Sequence, residues 1–322
     1  MTMLRLRGGR VVDPTQPTDD VRDLCVRDGR ITTLDPRDTV DAEIDIGGCI
    51  VMAGGIDLHT HIGGGKMNLA RLLLPESHRA NGNPIALPTN PLELASCGGC
   101  APGTLATGYR YVEMGYTAAF EPAMIASNAR QAHMEMGDTP ILDHGAYVML
   151  GNDEFFLKLL SEGGESGRNF ETIRDYMGWT LNATKAMGVK VVNPAGISAF
   201  KFNQRKLDVD ENHVHWQVTP RQVVHTLARA LRELGVPHPL HIHGSNLGVA
   251  GNIVSTLETI AALEGLPAHL THIQFHAYGT DAQMADFEAI ARALDMAVHR
   301  HLQQDAAQLS QMVQNLWRPH LH

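Results

Sequence analysis

The chain has 322 residues, 43% hydrophobic and 19% charged, which suits a globular core and excludes a disordered chain. Its length fits one large domain with a small satellite. Lys and Arg number 26 against 35 Asp and Glu, for a net charge of −9 with no basic block, so neither nucleic acid nor an anionic membrane is an expected partner.

No apolar run approaches the roughly 18 residues of a membrane span, and Met1 to Arg10 is too polar for a signal peptide. The four cysteines, Cys25, Cys49, Cys97 and Cys100, form no disulfide framework. A reducing, cytoplasmic setting is the simplest reading. The 18 histidines point towards metal chemistry, because imidazole is the commonest metal ligand.

Residues 1–50 read as short strands and turns, a partial β-sandwich domain that expects partner strands from elsewhere. Leu4, Leu6, Val11 and Val12 flank Gly8-Gly9, and Asp28-Gly29 lies between two apolar runs as a hairpin signal. From residue 51 to 298 apolar runs alternate with helical stretches. The runs are Ile50 to Ala53 with Ile56 to Leu58, Thr117 to Phe120, Pro140 to Leu142, Val189 to Val192, Pro239 to Ile242, His269 to Ile273 and, more weakly, Met296 to Val298. The best helix runs from Thr219 to Leu234, with Thr219 as N-cap, Pro220 in the first turn and Gly235 as the stop. Another covers Ile253 to Leu263. Such alternation predicts parallel β/α units, as a closed barrel or an open sheet.

Polar residues cluster at the ends of these runs. His59 and His61 alternate after Ile56-Asp57-Leu58, so they share one face of an extended segment. Lys190 sits inside Val189-Lys190-Val191-Val192, where an unpaired ammonium is costly. A lysine with a lowered pKa there could react with carbon dioxide, and its carbamate could bridge two metals. His241 and His243 alternate at the end of another run, and His272 follows His243 at the spacing of one β/α unit. His59, His61, Lys190, His243 and His272 are therefore the candidate metal ligands, for two zinc ions with Lys190 carboxylated. His241 and His276 are candidates to orient them. His144 reads as an ordinary buried histidine or a ligand-orienting one, and His213 and His215 as solvated. Cys97-Gly98-Gly99-Cys100 reads as a loop, and Gly63-Gly64-Gly65-Lys66 lacks the spacing of a phosphate loop.

These residues resemble the amidohydrolase superfamily. The match narrows at Gly54-Gly55-Ile56-Asp57-Leu58-His59-Thr60-His61-Ile62, at Gly64-Gly65-Lys66-Met67-Asn68 with Arg71, at Val189 to Pro194, at Pro239 to Gly248 and at Leu270 to His276. All five stretches are similar to the A-subunit family of formylmethanofuran dehydrogenases and formyltransferase/hydrolase complexes. The resemblance implies an amidohydrolase-type (β/α)8 barrel with a small N-terminal β domain and a binuclear zinc centre with a carboxylated lysine. It further implies hydrolysis, or formation, of the N-formyl bond of a formylated methanofuran-type carrier. By position it assigns the five candidate ligands to zinc and Lys66, Asn68 and Arg71 to the carrier. The other subunits of such a complex are the implied partners, and no iron–sulfur pattern points to redox chemistry in this chain.

The family also implies a carboxylate from a final strand. After His272 the candidates are Asp281, Asp286, Asp295 and Asp305, and none ends a convincing strand. Residues 299–322 read as an atypical Gln-rich tail, so the expectation is a barrel incomplete at its C-terminus, truncated near residue 299, with impaired activity and no identified catalytic residue. The alternatives are a stand-alone cyclic-amide hydrolase of the dihydroorotase or hydantoinase type, which the Gly-Gly-Lys-Met-Asn segment argues against, and a non-catalytic fragment.

Overall fold

The computed structural model describes residues 3–15, 18–64, 67, 69–70, 73, 104–163, 168–196 and 208–278. They fall into two compact units, one of Met1–Ile56 with Gly115–Thr117 and one of Asp57–Met114 with the chain from Ala118 onwards. The run expected at Met296 to Val298, the tail, the four late aspartates, and Cys97 and Cys100 lie outside the described residues.

In the first unit β1 (Met3–Asp13) is central. It pairs antiparallel with β2 (Thr18–Arg27) and parallel with β4 (Ala42–Asp45) and β5 (Ile50–Val51). β3 (Arg30–Thr32) pairs antiparallel with β2 through the two-residue turn Asp28-Gly29. Both turn residues have positive φ, 50° and 77°, which matches the right-handed strand twist and explains the Asp-Gly signal. The Gly8-Gly9 pair does not end a strand. It sits at a register shift between Leu6 and Gly9 within β1, with Gly8 at φ 78°.

The second sheet has the order β6 (Gly55–Asp57), β7 (Tyr116–Met124), β8 (Asp143–Met149), β9 (Gly188–Val192), β10 (Leu240–His243), β11 (Ala268–Leu270). Sheet order equals chain order, and the pairs from β7 to β11 are parallel. Among the described strands none jumps to the far side of an earlier one, so they show no switch point, and their connectivity is that of a β/α barrel wall. The described residues supply six of the eight strands of such a barrel.

Helices α1 (Leu105–Glu113), α2 (Ala129–Gly137), α3 (Glu154–Ser161), α4 (Arg168–Thr184), α5 (Pro220–Glu233) and α6 (Ile253–Ala262) fall between the strands. α5 begins with a complete capping box, Thr219 accepting from the Gln222 amide while the Gln222 side chain accepts from the Thr219 amide. Its buried stripe of Val223, Val224, Leu227 and Leu231 lies over β9 and β10, whose Val189, Val191 and Ile242 are buried beneath. Gly235 stops the helix at φ 66°.

Two strands differ from the hydrophobic pattern. The run at Pro140 to Leu142 is a turn, because Pro140 has no N–H and Ile141 takes φ 68°, and the strand follows at Asp143–Met149. The run at His269 to Ile273 splits into β11 and a short 3-10 turn, Ile273–Phe275, with His272 at φ 34° between them. No described helix is long and apolar enough to cross a membrane.

Candidate metal centre

His59 and His61 follow β6, held along β7 by the Thr60 amide, which donates to the Phe120 carbonyl at 3.0 Å. Asp57 fixes the entry to this segment. It accepts from the His59 amide at 3.0 Å and from the Tyr111 hydroxyl at 2.9 Å, and Tyr111 also bonds Thr60. Lys190 points from β9 with its ammonium nitrogen 3.3 Å from His59 Nδ1. His243 ends β10, and His272 lies two residues beyond β11.

The rings of His59 and His61 lie 5.4 Å apart, those of His59 and His272 5.1 Å, and those of His243 and His272 4.6 Å. Four imidazoles and one amine from four separate strand ends therefore form one cluster. His276 joins it. One ring nitrogen each from His243, His272 and His276 lies within 4.8 Å of the others.

The electrostatics follow from burial among like groups. Lys190 is 1% exposed, and no described carboxylate lies within ion-pair distance of its nitrogen. Burial lowers its pKa from 10.5 to about 7, against the weaker opposing pull of Glu121. Burial likewise brings His59 and His243 down to about 3 and His276 to about 4, with neighbouring rings and Lys190 pushing the same way. Neutral imidazoles and a half-neutral amine are the protonation states that ligate. His272 Nδ1 and both His276 nitrogens are buried with no hydrogen bond of good geometry among the described residues. Buried polar atoms without partners are rare, and this nitrogen-rich donor set fits a borderline cation such as zinc.

Several side chains here were invisible to pattern reading. Glu121, 1% exposed in β7, accepts from the amides of Ile62, Gly63 and Ala123 at 2.8, 3.2 and 2.9 Å, and its Oε1 lies 3.1 Å from His61 Nδ1. Glu135 of α2 accepts from the Gly64 amide at 2.7 Å. A buried Glu inside an otherwise apolar strand was the available signal. His241 is buried against His59, as an orienting residue would be. His144 instead opens β8, exposed, at the end opposite the cluster. His213 is not solvated but buried, its Nδ1 accepting from the amides of His215 and Trp216 to close a turn, while His215 is exposed. Lys66, Asn68 and Arg71 lie outside the described residues.

A family model described as "Amidohydrolase family" matches residues 42–313. The chain belongs to the amidohydrolase family. It is 39% identical over 303 residues to the A subunit of the formyltransferase/hydrolase complex Fhc of Methylorubrum extorquens, covering 93% of this chain and 53% of that protein. It is 35% identical over 324 residues to the protein FwdA of Methanocaldococcus jannaschii, covering 95% and 54%. A shorter stretch of 60 residues, 18% of this chain and 14% of the relative, is 45% identical to a dihydroorotase of Geotalea daltonii.

Among solved structures, the amidohydrolase chain superposes with a TM-score of 0.80 and 39% identity on a chain of the formyltransferase/hydrolase complex FhcABCD from Methylorubrum extorquens in complex with methylofuran, covering 92% of this chain and 53% of that one. The chain thus spans about half the length of the relatives it matches. Its architecture is an amidohydrolase-type β/α barrel wall with an N-terminal β domain.

Proposed function

We propose that this chain is the amidohydrolase subunit of a formyltransferase/hydrolase-type complex. It would cleave the N-formyl bond of a formylated methanofuran-type carrier with water, giving the free amine and formate. His59, His61, Lys190, His243 and His272 would hold two zinc ions. The observation that carries the reading is the meeting of these five nitrogen-bearing side chains in one cluster, with Lys190 buried, His59, His243 and His272 half-buried and His61 exposed at its rim, in a chain 39% identical to the A subunit of Fhc.

Bound zinc supplies Lewis acidity towards a carbonyl oxygen and makes water acidic near neutral pH. The protein's own part is preparation. The depressed pKa leaves the Lys190 amine about half neutral near pH 7. Its lone pair can form a C–N bond to carbon dioxide with loss of one proton, and the resulting carbamate replaces a buried cation by an anion between the flanking imidazoles. Glu121 holds His61 through Nδ1, so Nε2 is the nitrogen left to ligate. Lys66, Asn68 and Arg71, a few residues beyond His61, would place the carrier, and the other subunits of the complex would deliver it.

The test combines three readouts on the full chain prepared with zinc and bicarbonate. Two zinc ions per chain, the added mass of one carbon dioxide on the peptide carrying Lys190, and slow formate release from the formylated carrier, alone or with the partner subunits, are expected, the slowness following from the lack of an identified final-strand carboxylate. Zinc binding without formate release in either setting would overturn the substrate. No zinc and no added mass would overturn the metal centre. The short dihydroorotase match supports a second reading, cyclic-amide hydrolysis, which turnover of dihydroorotate by the same preparation would favour.

A further inference from the structure

The two histidines of the His59-Thr60-His61 pair are held differently. His61 faces a carboxylate, Glu121. His59 faces only nitrogen: its Nδ1 lies 2.9 Å from His241 Nε2, and His241 Nδ1 lies 3.1 Å from His238 Nε2. Three imidazoles form a continuous row. Its middle ring is 0% exposed and stacked between Tyr147 at 4.7 Å and His269 at 4.5 Å, so water cannot replace either hydrogen bond.

A neutral imidazole has one donor and one acceptor. The row therefore has two hydrogen-bond directions and no others. In the outward direction His59 donates from Nδ1 to His241, and His241 donates from Nδ1 to His238. The lone pair of His59 is then on Nε2, available to a cation. In the inward direction His238 donates to His241 and His241 to His59, so His59 carries its hydrogen on Nε2 and cannot ligate there. Lys190, 3.3 Å from the same His59 Nδ1, can only donate as an ammonium and so favours the inward direction.

We propose that His241 and His238 are positioning residues that set the tautomer of His59, with the outward direction of the row as the ligating state of the centre. The inference rests on the reading of His59 as a metal ligand. Neither residue touches the reacting atoms. His238 acts from two hydrogen bonds away, through the acceptor it offers to His241.

The experiment uses the full chain and zinc alone. Zinc affinity is measured by competition with a chromophoric chelator for wild type, His241→Phe, His241→Gln and His238→Phe, with melting temperature recorded for each. Phe keeps a flat ring in the stack and removes the acceptor, and Gln restores an acceptor near the Nε2 position. His241→Phe should bind zinc ~10- to 100-fold more weakly, the range for lost orienting partners of a metal-bound histidine. His241→Gln should recover most of that loss. His238→Phe should weaken binding at least about threefold at an unchanged melting temperature, a smaller share of the same effect. It carries the test if His241→Phe fails to fold. Nitrogen-15 NMR of histidine-labelled, zinc-loaded wild type should show His241 protonated on Nδ1. Wild-type affinity in both Phe variants, or a His241 protonated on Nε2 in the loaded chain, overturns the inference while leaving the metal centre standing. A wild-type chain that binds no zinc overturns both.

Discussion

Replacing Lys190 by Met should stabilise the chelator-treated chain while abolishing the zinc binding proposed for it. Lys190 is 1% exposed and its pKa falls from 10.5 to about 7 on burial. The unfolded chain therefore binds the proton more tightly than the folded one, and stability rises with pH between those values. The penalty is full below the folded pKa, shrinks above it, and vanishes above the unfolded one. At ~1.4 kcal/mol per tenfold change in equilibrium, it amounts to about 4 kcal/mol at pH 7 and about 2 kcal/mol at pH 9. Met keeps the length and apolar stem of the side chain without the charge. Urea unfolding of both chains in carbon-dioxide-free buffer, followed by tryptophan fluorescence, should place the variant's midpoint well above wild type at pH 7, with the gap roughly halved at pH 9. Equal midpoints at both pH values, or a gap that widens as pH rises, would refute an ammonium buried at a cost.

Removing the bound metal should lower the melting temperature, and zinc at about a hundredfold its dissociation constant should restore ~2.7 kcal/mol of stability, read by calorimetry with and without chelator. Glu121→Gln replaces one of the two oxygens that face three amides and His61 by an amide donor. It should cost about 1–3 kcal/mol in urea unfolding and weaken zinc binding at His61, and an unchanged midpoint would show that the Glu121 network contributes nothing. Thr219→Ala removes the capping box of α5 and should cost ~1 kcal/mol in thermal unfolding without altering zinc affinity.

Features written in neighbouring residues were readable in advance. The Asp28-Gly29 turn, the limits of α5 with Thr219, Pro220 and Gly235, and the alternation of His59 with His61 each follow from backbone preferences or strand periodicity within a few positions. Pro140 to Leu142 misled, because apolar content without regard to proline and a left-handed Ile141 mimics a strand. A choice between barrel wall and open sheet also lay beyond periodicity, since both repeat strand and helix alike. It was settled by the pairing of each strand with its immediate predecessor.

The chemistry divides in the same way. The amino-acid order alone picked out His59, His61, Lys190, His243 and His272, because alternation at a strand end is a local property, and the structure brings these side chains together. It carried no information on what holds them. Glu121 meets His61 across 60 positions and His241 meets His59 across 182, and the contact of His238 with this row depends on that second meeting. Such pairings exist only once parallel strands fix which side chains share a face and a height. Burial then strips away the water that would otherwise satisfy the His241 ring and sets the protonation of Lys190.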